Sequence, residues 1–202
     1  MNTFAQLIDL IGPRPPASVP TRTERLYVAG TAFLASLAFA ALWGVAAGSG
    51  GGHLALRNLA SVPMLLTVST LASLPVGVFA LRLTCQDGSA TNLVLAHTAA
   101  MFGGALVLAL LSPLVTLYQL SSSWAGPPIA IASACLAFLC GIGILIRILR
   151  KLDVDKRSLA LPVLLLVFVQ LASLAQLSVL APSVLPTRSL FGRGIDGISI
   201  QR

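Results

Sequence analysis

His97 is the side chain in this sequence that is best suited to chemistry, because it lies in a long apolar stretch, residues 93–117, without other titratable groups. An imidazole titrates near neutral pH, so a histidine placed there can relay a proton or sense pH. A relay normally needs a second titratable group, and no Asp, Glu, Lys or Arg lies in any of the long apolar stretches. The alternative is a neutral imidazole that is hydrogen-bonded to a neighbouring helix.

Gln170 and Gln176 are the two amide side chains of the last apolar stretch. An amide in hydrocarbon must satisfy its donors and acceptor, and interhelical hydrogen bonds of this kind stabilise a membrane protein by about 0.6 kcal/mol each. We interpret the two amides mainly as structural, with a polar intramembrane site shared with His97 as the alternative. The six-residue offset places the two amides on different faces of a helix.

Small residues recur at four-residue spacing in three of the apolar stretches. Helices with small side chains approach closely in a membrane, so these faces predict helix-packing seams. Seams inside one molecule are the main interpretation, and a homo-oligomer seam is the alternative. The residues are Ala40 with Gly44 in the first stretch, Ala99 with Gly103 and Ala100 with Gly104 in the third, and Ser133, Ala137 and Gly141 in the fourth.

Five basic residues cluster between the fourth and fifth apolar stretches. Their plain role is to set the topology, and they would also attract anionic lipid headgroups, by up to about 1 kcal/mol for each residue near the surface. These residues are Arg147, Arg150, Lys151, Lys156 and Arg157.

No pattern in the sequence indicates catalysis or a cofactor. HExxH, GxSxG and phosphate-loop motifs are absent, as is a pair of carboxylates within an apolar stretch. Cys135 and Cys140 lie in an apolar stretch and are typical of buried small side chains. We therefore expect a protein that is not an enzyme and that holds no cofactor or metal.

The composition places the chain in the membrane. Of its residues 56% are hydrophobic and 9% are charged, whereas a soluble domain carries about 25% charged residues. The net charge of +7 does not indicate nucleic-acid binding, because the basic residues lie between long uncharged stretches rather than on one polar surface. Membrane lipids are the partners that this composition implies.

Five apolar stretches are long enough to cross a membrane, which takes about 20 residues in a helix. The sequence therefore predicts an all-α, polytopic transmembrane bundle of five spans. We divide the chain into an N-terminal segment with an interfacial helix over residues 1–12, a transmembrane domain and a tail, at residues 1–25, 26–181 and 182–202. The stretches are residues 26–48, 59–81, 93–117, 124–146 and 159–181.

The distribution of basic residues predicts the topology. With five spans, nine of the 13 Lys and Arg residues share one side with the N-terminus, and the remaining four lie opposite. Because basic residues concentrate in cytoplasmic loops, the N-terminus should be cytoplasmic and the C-terminus on the far side of a bacterial inner membrane.

Several short patterns resemble a group of uncharacterised bacterial multi-pass inner-membrane proteins and, more distantly, the Yip-type family of five-helix membrane proteins. They are residues 62–67 with Leu74–Pro75, then Leu111–Pro113 with Leu120–Ser122, and Asp9–Pro13, which is similar to the family's Asp-Leu-Tyr-Gly-Pro motif without its tyrosine. The resemblance implies a cytoplasmic N-terminus, a C-terminus across the membrane, and work in membrane organisation through partners rather than catalysis.

Two functions are consistent with these patterns. The leading one is an integral membrane protein that acts as a scaffold, through helix packing with protein partners or lipids. The alternative is a small channel or transporter that uses His97 and a second span kinked at Pro63 and Pro75, where nearby hydroxyls would satisfy the carbonyls freed by the prolines.

Overall fold

The protein is described here by a computed structural model. At positions 151, 156–159 and 177–180 the description covers the backbone alone. The described residues are 8–9, 11–12, 21–84, 89–122, 124–151 and 156–180.

The described part of the chain is helical and contains no strand, so the predicted all-α helical bundle is confirmed. Each of its five long helices overlaps one of the five predicted stretches and extends beyond it at one end or both. They are α1 Arg22–Ala47, α2 Gly52–Thr84, α3 Ala90–Ser121, α4 Gly126–Lys151 and α5 Lys156–Leu180.

Four helices, α1 to α4, are long and apolar enough to cross a membrane. In α5 the segment whose side chains are described, Ala160–Gln176, is apolar but shorter than the helices that can cross a membrane. The fifth crossing therefore stays a prediction. Large apolar side chains point outward along the bundle: Leu34, Leu71 and Phe168 are 66–67% exposed. Such an exterior suits lipid rather than water, and the protein is membrane-embedded.

The start of α1 is fixed by a capping box. The backbone N–H of Thr21 donates to Glu24 Oε2 at 2.8 Å, and the N–H of Glu24 donates to Thr21 Oγ1 at 3.4 Å. Two donors at the helix start are thereby satisfied. At the other end of α1 the chain reverses tightly into α2, because a Cβ on Gly48 would lie 2.7 Å from the Cα of Ala55.

The second helix runs unbroken through Pro63 and Pro75 over 33 residues. Each proline frees the carbonyl four residues before it. The nearby hydroxyls bond elsewhere: Thr67 Oγ1 donates to the Pro63 carbonyl at 2.8 Å, and Thr70 Oγ1 donates to the Leu66 carbonyl at 2.7 Å. Neither acceptor is a freed carbonyl, so our prediction for these hydroxyls is wrong. Each hydroxyl bonds the carbonyl one turn behind its own residue, which is closer.

Helix α3 lies at the centre of the bundle, with α1 on one side and α4 on the other, while α2 packs against α1 and α5. The end of the bundle where α1 begins, α2 ends, α3 begins and α4 ends is called the basic end below. An apolar cluster that includes Leu81, Leu93 and Leu149 fills the core there. A second cluster around Trp43 and Val115 fills the opposite end.

The predicted interfacial helix falls mostly outside the described residues. Within it, Ile8, Asp9 and Ile11 are helical. Ile8 and Asp9 are exposed, whereas Ile11 is partly buried and packs against the core at the basic end. The segment therefore contacts the bundle itself. Residues 182–202, the predicted tail, lie outside the described residues.

Candidate functional site

A cavity of about 320 Å³ lies inside the membrane-spanning part of the bundle. All five helices contribute to its lining. Cys135 of α4 and Leu171 of α5 line it and are also exposed on the outside of the bundle. Since α4 and α5 touch at few points, the cavity opens sideways between these two helices, toward lipid.

Small residues of α3 and α4 create the space. The lining includes Ala100 and Gly104 from α3, and Ala134, Ala137 and Gly141 from α4. Larger side chains, among them those of α5, complete the wall. The surface that results is almost entirely apolar.

Two of the three predicted polar residues meet at this cavity. His97 and Gln170 both line it, and they are 2% and 7% exposed. His97 Nε2 has no hydrogen-bond partner among the described residues. Gln176 is exposed on α5 and is not among the lining residues, as the six-residue offset implies. The structure therefore brings His97 and Gln170 to one cavity and leaves Gln176 outside it.

The predicted small-residue faces of α3 and α4 lie against each other. A Cβ on Gly104 would lie 3.0 Å from the carbonyl oxygen of Ala137, and one on Gly141 would lie 3.3 Å from that of Ala100. On the adjacent face, a Cβ on Gly103 would clash with the Ile144 side chain. These backbones approach as closely as they do because no side chain intervenes.

Two other predicted seam residues have different surroundings. Ala99 is fully buried in the core at the basic end. Ser133 Oγ accepts a hydrogen bond from Trp43 Nε1 at 3.0 Å and donates one to the Ala130 carbonyl at 2.7 Å. Ser133 therefore links α4 to α1 by a hydrogen bond rather than only by its small size.

Two contacts were missed by reasoning from sequence. Trp43 is one, because a tryptophan inside a span gives no sign of its partner. Gly77 is the other: a Cβ there would lie 2.7 Å from Leu166 Cδ1, so α2 and α5 pack closely at this point. A single glycine opposite a leucine has no repeat, so spacing could not reveal it.

The cysteines differ from our interpretation. Cys135 and Cys140 are free thiols, and Cys135 is exposed whereas Cys140 is partly exposed. The prediction that Cys135 is buried is wrong, because its side of α4 faces the cavity mouth and lipid rather than another helix. The described residues contain no group of three or more His, Cys, Asp or Glu that could hold a metal ion.

The basic residues between α4 and α5 are described in part. Arg147 and Arg150 are exposed near the end of α4. The side chains of Lys151, Lys156 and Arg157 lie outside the description.

Comparisons with known proteins identify no relative. No family model matches this chain, and it matches neither a curated protein nor a solved structure.

Proposed function

We propose that this protein is a non-enzymatic, multi-pass protein of the inner membrane that binds a lipid acyl chain in the cavity between α4 and α5. The observation that carries the proposal is the sideways opening of an apolar cavity at the height of the lipid chains, with Cys135 and Leu171 at its mouth. The proposal takes the scaffold function expected from the sequence and specifies lipids as its partners.

The chemistry of the lining favours a hydrocarbon occupant. A buried water needs two to four polar partners, and the polar side chains in this lining are chiefly His97 and Gln170. An empty apolar space leaves its walls without dispersion contacts. An acyl chain supplies those contacts and is present at the mouth at high concentration.

The contacts between α4 and α5 argue against a partner helix. These two helices touch at a few points, and a helix about 10 Å wide could enter between them only by breaking those contacts. A single chain is narrow enough to enter. A protein partner would instead have to pack on the outer surface.

The proposal includes the orientation of the helical bundle in the membrane. Five of the nine basic residues assigned to the cytoplasm have side chains that the structure describes, and all five lie at the basic end, so we place that end in the cytoplasm. A reporter enzyme that is active only outside the cytoplasm should therefore be active when it is fused at residue 202, if α5 crosses the membrane. These residues are Arg22, Arg25, Arg82, Arg147 and Arg150.

The alternative, a channel or transporter, has one supporting observation, the unbonded Nε2 of His97 at the cavity. The cavity shares lining residues with the apolar clusters toward both ends of the bundle, such as Leu145 and Trp43. Those clusters lie on the path that an ion would have to follow. In liposomes we expect no proton flux that depends on His97, which His97→Ala tests.

Brominated lipids test the acyl-chain proposal. Bromine on an acyl chain quenches a nearby tryptophan, and Trp43 lines the cavity. Trp124, the other tryptophan, is 84% exposed and is removed by Trp124→Phe. In that background Trp43 fluorescence should fall in brominated bilayers. Ala134→Phe, which fills the cavity, should relieve most of this quenching.

A matched variant controls for general effects of a new ring. Ala132→Phe introduces the same side chain on the same helix, at an exposed position that is not among the lining residues. It should leave the quenching unchanged. Equal quenching in both variants would show that bromine reaches Trp43 from the outer surface and would refute the proposal.

A further inference from the structure

A second pocket, of about 380 Å³, lies at the basic end of the bundle, where three helices end or begin. Among the described residues it shares no lining residue with the cavity between α4 and α5. Its lining is Arg22 and Arg25 from the start of α1, Arg82 from the last turn of α2, and Ser89, Ala90 and Thr91 at the start of α3.

The pocket concentrates positive charge. Three arginines line one space, and no Asp or Glu is among its described lining residues. The neighbouring Glu24 carboxylate accepts hydrogen bonds from the backbone and hydroxyl of Thr21. Like charges that converge in this way repel each other, and an anion placed between them removes the repulsion.

The three arginines have different surroundings. Arg25 donates a hydrogen bond to Asn92 Oδ1 and is thereby held in place. Arg22 and Arg82 are exposed, and neither forms an ion pair within the described ranges. Two exposed arginines therefore line the pocket beside one that is already positioned.

The start of α3 adds donors to the same pocket. Ser89 lies at the N-cap position, and its side chain forms no capping hydrogen bond. The first backbone N–H groups of a helix have no acceptor within the helix, and the helix dipole favours an anion there. These groups supplement the arginines.

Exposed apolar side chains alternate with the arginines of the pocket. Leu26, next to Arg25, is 50% exposed, and Leu83, next to Arg82, is 70% exposed. Large apolar groups beside charged ones are typical of the level at which lipid chains meet headgroups.

We propose that this pocket binds a phosphate group, in an anionic lipid headgroup or as a free phosphate. The planar fork of arginine matches phosphate oxygens in a bidentate fashion, and charge-assisted hydrogen bonds are the strongest that the pocket can form. The proposal is independent of the acyl-chain proposal, because it rests on other residues at the other side of the core.

The test compares two double variants of the full-length protein in detergent micelles. Arg22→Gln with Arg82→Gln removes two exposed charges from the pocket. Arg147→Gln with Arg150→Gln removes two exposed charges from the same end of the bundle, outside the pocket. Arg25 is kept because of its hydrogen bond to Asn92. The two variants lose the same charge, so general attraction to anions falls equally in both.

Two probes distinguish the sources of phosphate. Inorganic phosphate is titrated by calorimetry, and phosphatidylglycerol against phosphatidylcholine is measured by native mass spectrometry. The pocket variant should bind the relevant probe at least about tenfold more weakly than the wild-type protein, since charge-assisted hydrogen bonds are lost. The control variant should lose only the diffuse attraction that both variants lose, and so clearly less affinity than the pocket variant, since its arginines are not among the described lining residues of the pocket. Binding of phosphatidylglycerol alone identifies a headgroup site, and binding of inorganic phosphate identifies a site for the free ion.

Two outcomes would overturn the proposal. In the first, both double variants lose affinity equally, which would leave only diffuse charge attraction. In the second, the wild-type protein binds neither probe, which would mean that the three arginines do not form a phosphate site.

Discussion

Helix α4 packs in two different ways on its two sides. Toward α3 its backbone comes so close that a Cβ on Gly104 would lie 3.0 Å from the Ala137 carbonyl oxygen. Toward α5 it makes few contacts, and the cavity opens there. The contrast shows that, without a hydrophobic effect between helices in lipid, closure depends on small residues that match across an interface.

The two sides also differ in what fills them. The α3–α4 seam is filled by backbone and needs nothing from outside. The side of α4 that faces α5 presents larger groups, among them Phe138 and Ile142, which line the cavity without closing it. One helix thus stabilises the bundle with one face and leaves room for a ligand with the other.

The largest effect is expected from Gly104→Leu, which disrupts the close packing of α3 against α4. Overpacking a tight site costs about 1–3 kcal/mol, and we expect a loss of about 2 kcal/mol in the free energy of unfolding because the first obstacle is a backbone carbonyl. Reversible unfolding in mixed micelles of mild detergent and dodecyl sulfate measures it.

Gly143→Leu provides the control for that measurement. Gly143 is exposed on α4, and a Cβ there meets no atom within 4 Å. The same substitution should change the free energy of unfolding by less than about 0.5 kcal/mol. Similar losses in the two variants would mean that the bulk of a leucine, and not its position in the seam, lowers the stability.

His97→Phe tests the cavity that opens between α4 and α5. The substitution removes a buried nitrogen that lacks a partner within the described chain, and the adjoining cavity has room for the larger ring. We expect the free energy of unfolding to rise by about 1 kcal/mol, since a buried unsatisfied polar group is costly. The same unfolding assay measures the gain.

A loss of stability in His97→Phe would have a definite meaning. It would indicate that the imidazole is hydrogen-bonded in the membrane, to a water molecule or a polar ligand in the cavity. The acyl-chain proposal would then need a polar group on the occupant.

The smallest effect is expected from Ser133→Ala, which leaves Trp43 Nε1 without its acceptor. Interhelical hydrogen bonds in membranes contribute about 0.6 kcal/mol on average, and we expect a loss of that size in the same assay. Ser36→Ala is the matched control, because the Ser36 hydroxyl is also buried but donates within α1, to the Ala32 carbonyl at 2.7 Å. It should cost less, because no second helix is involved. Equal losses in the two variants would mean that the link between α4 and α1 contributes nothing of its own.

Much of the fold follows from the sequence, because a membrane segment must satisfy its own backbone and a long uncharged stretch can do this only as a helix. The five helices therefore lie where the apolar stretches predicted them. The repeats of Ala100 with Gly104 and Ala137 with Gly141 also indicated faces that the structure places together.

The site was harder to predict. Sequence offered a polar site shared by His97, Gln170 and Gln176 as an alternative, but it did not show a cavity at which His97 and Gln170 meet, since that depends on which helices stay apart. Arg22 and Arg82 were counted only for topology, although they line one pocket across 60 residues of chain. Tertiary packing brings these two arginines together, and the spacing of residues along the chain does not reveal it.

The lengths of α2 and α3 have a mechanical consequence. At 33 and 32 residues, and at the average tilt of about 20° for membrane helices, they would rise about 45–47 Å along the membrane normal. That is close to the full 40–45 Å of a bilayer with its polar layers, and well beyond the 30 Å of its hydrocarbon. The tips of these two helices consequently stand among the glycerol and phosphate groups. A thinner bilayer would make the pair tilt further, so the tilt of α2 and α3 depends on the thickness of the membrane.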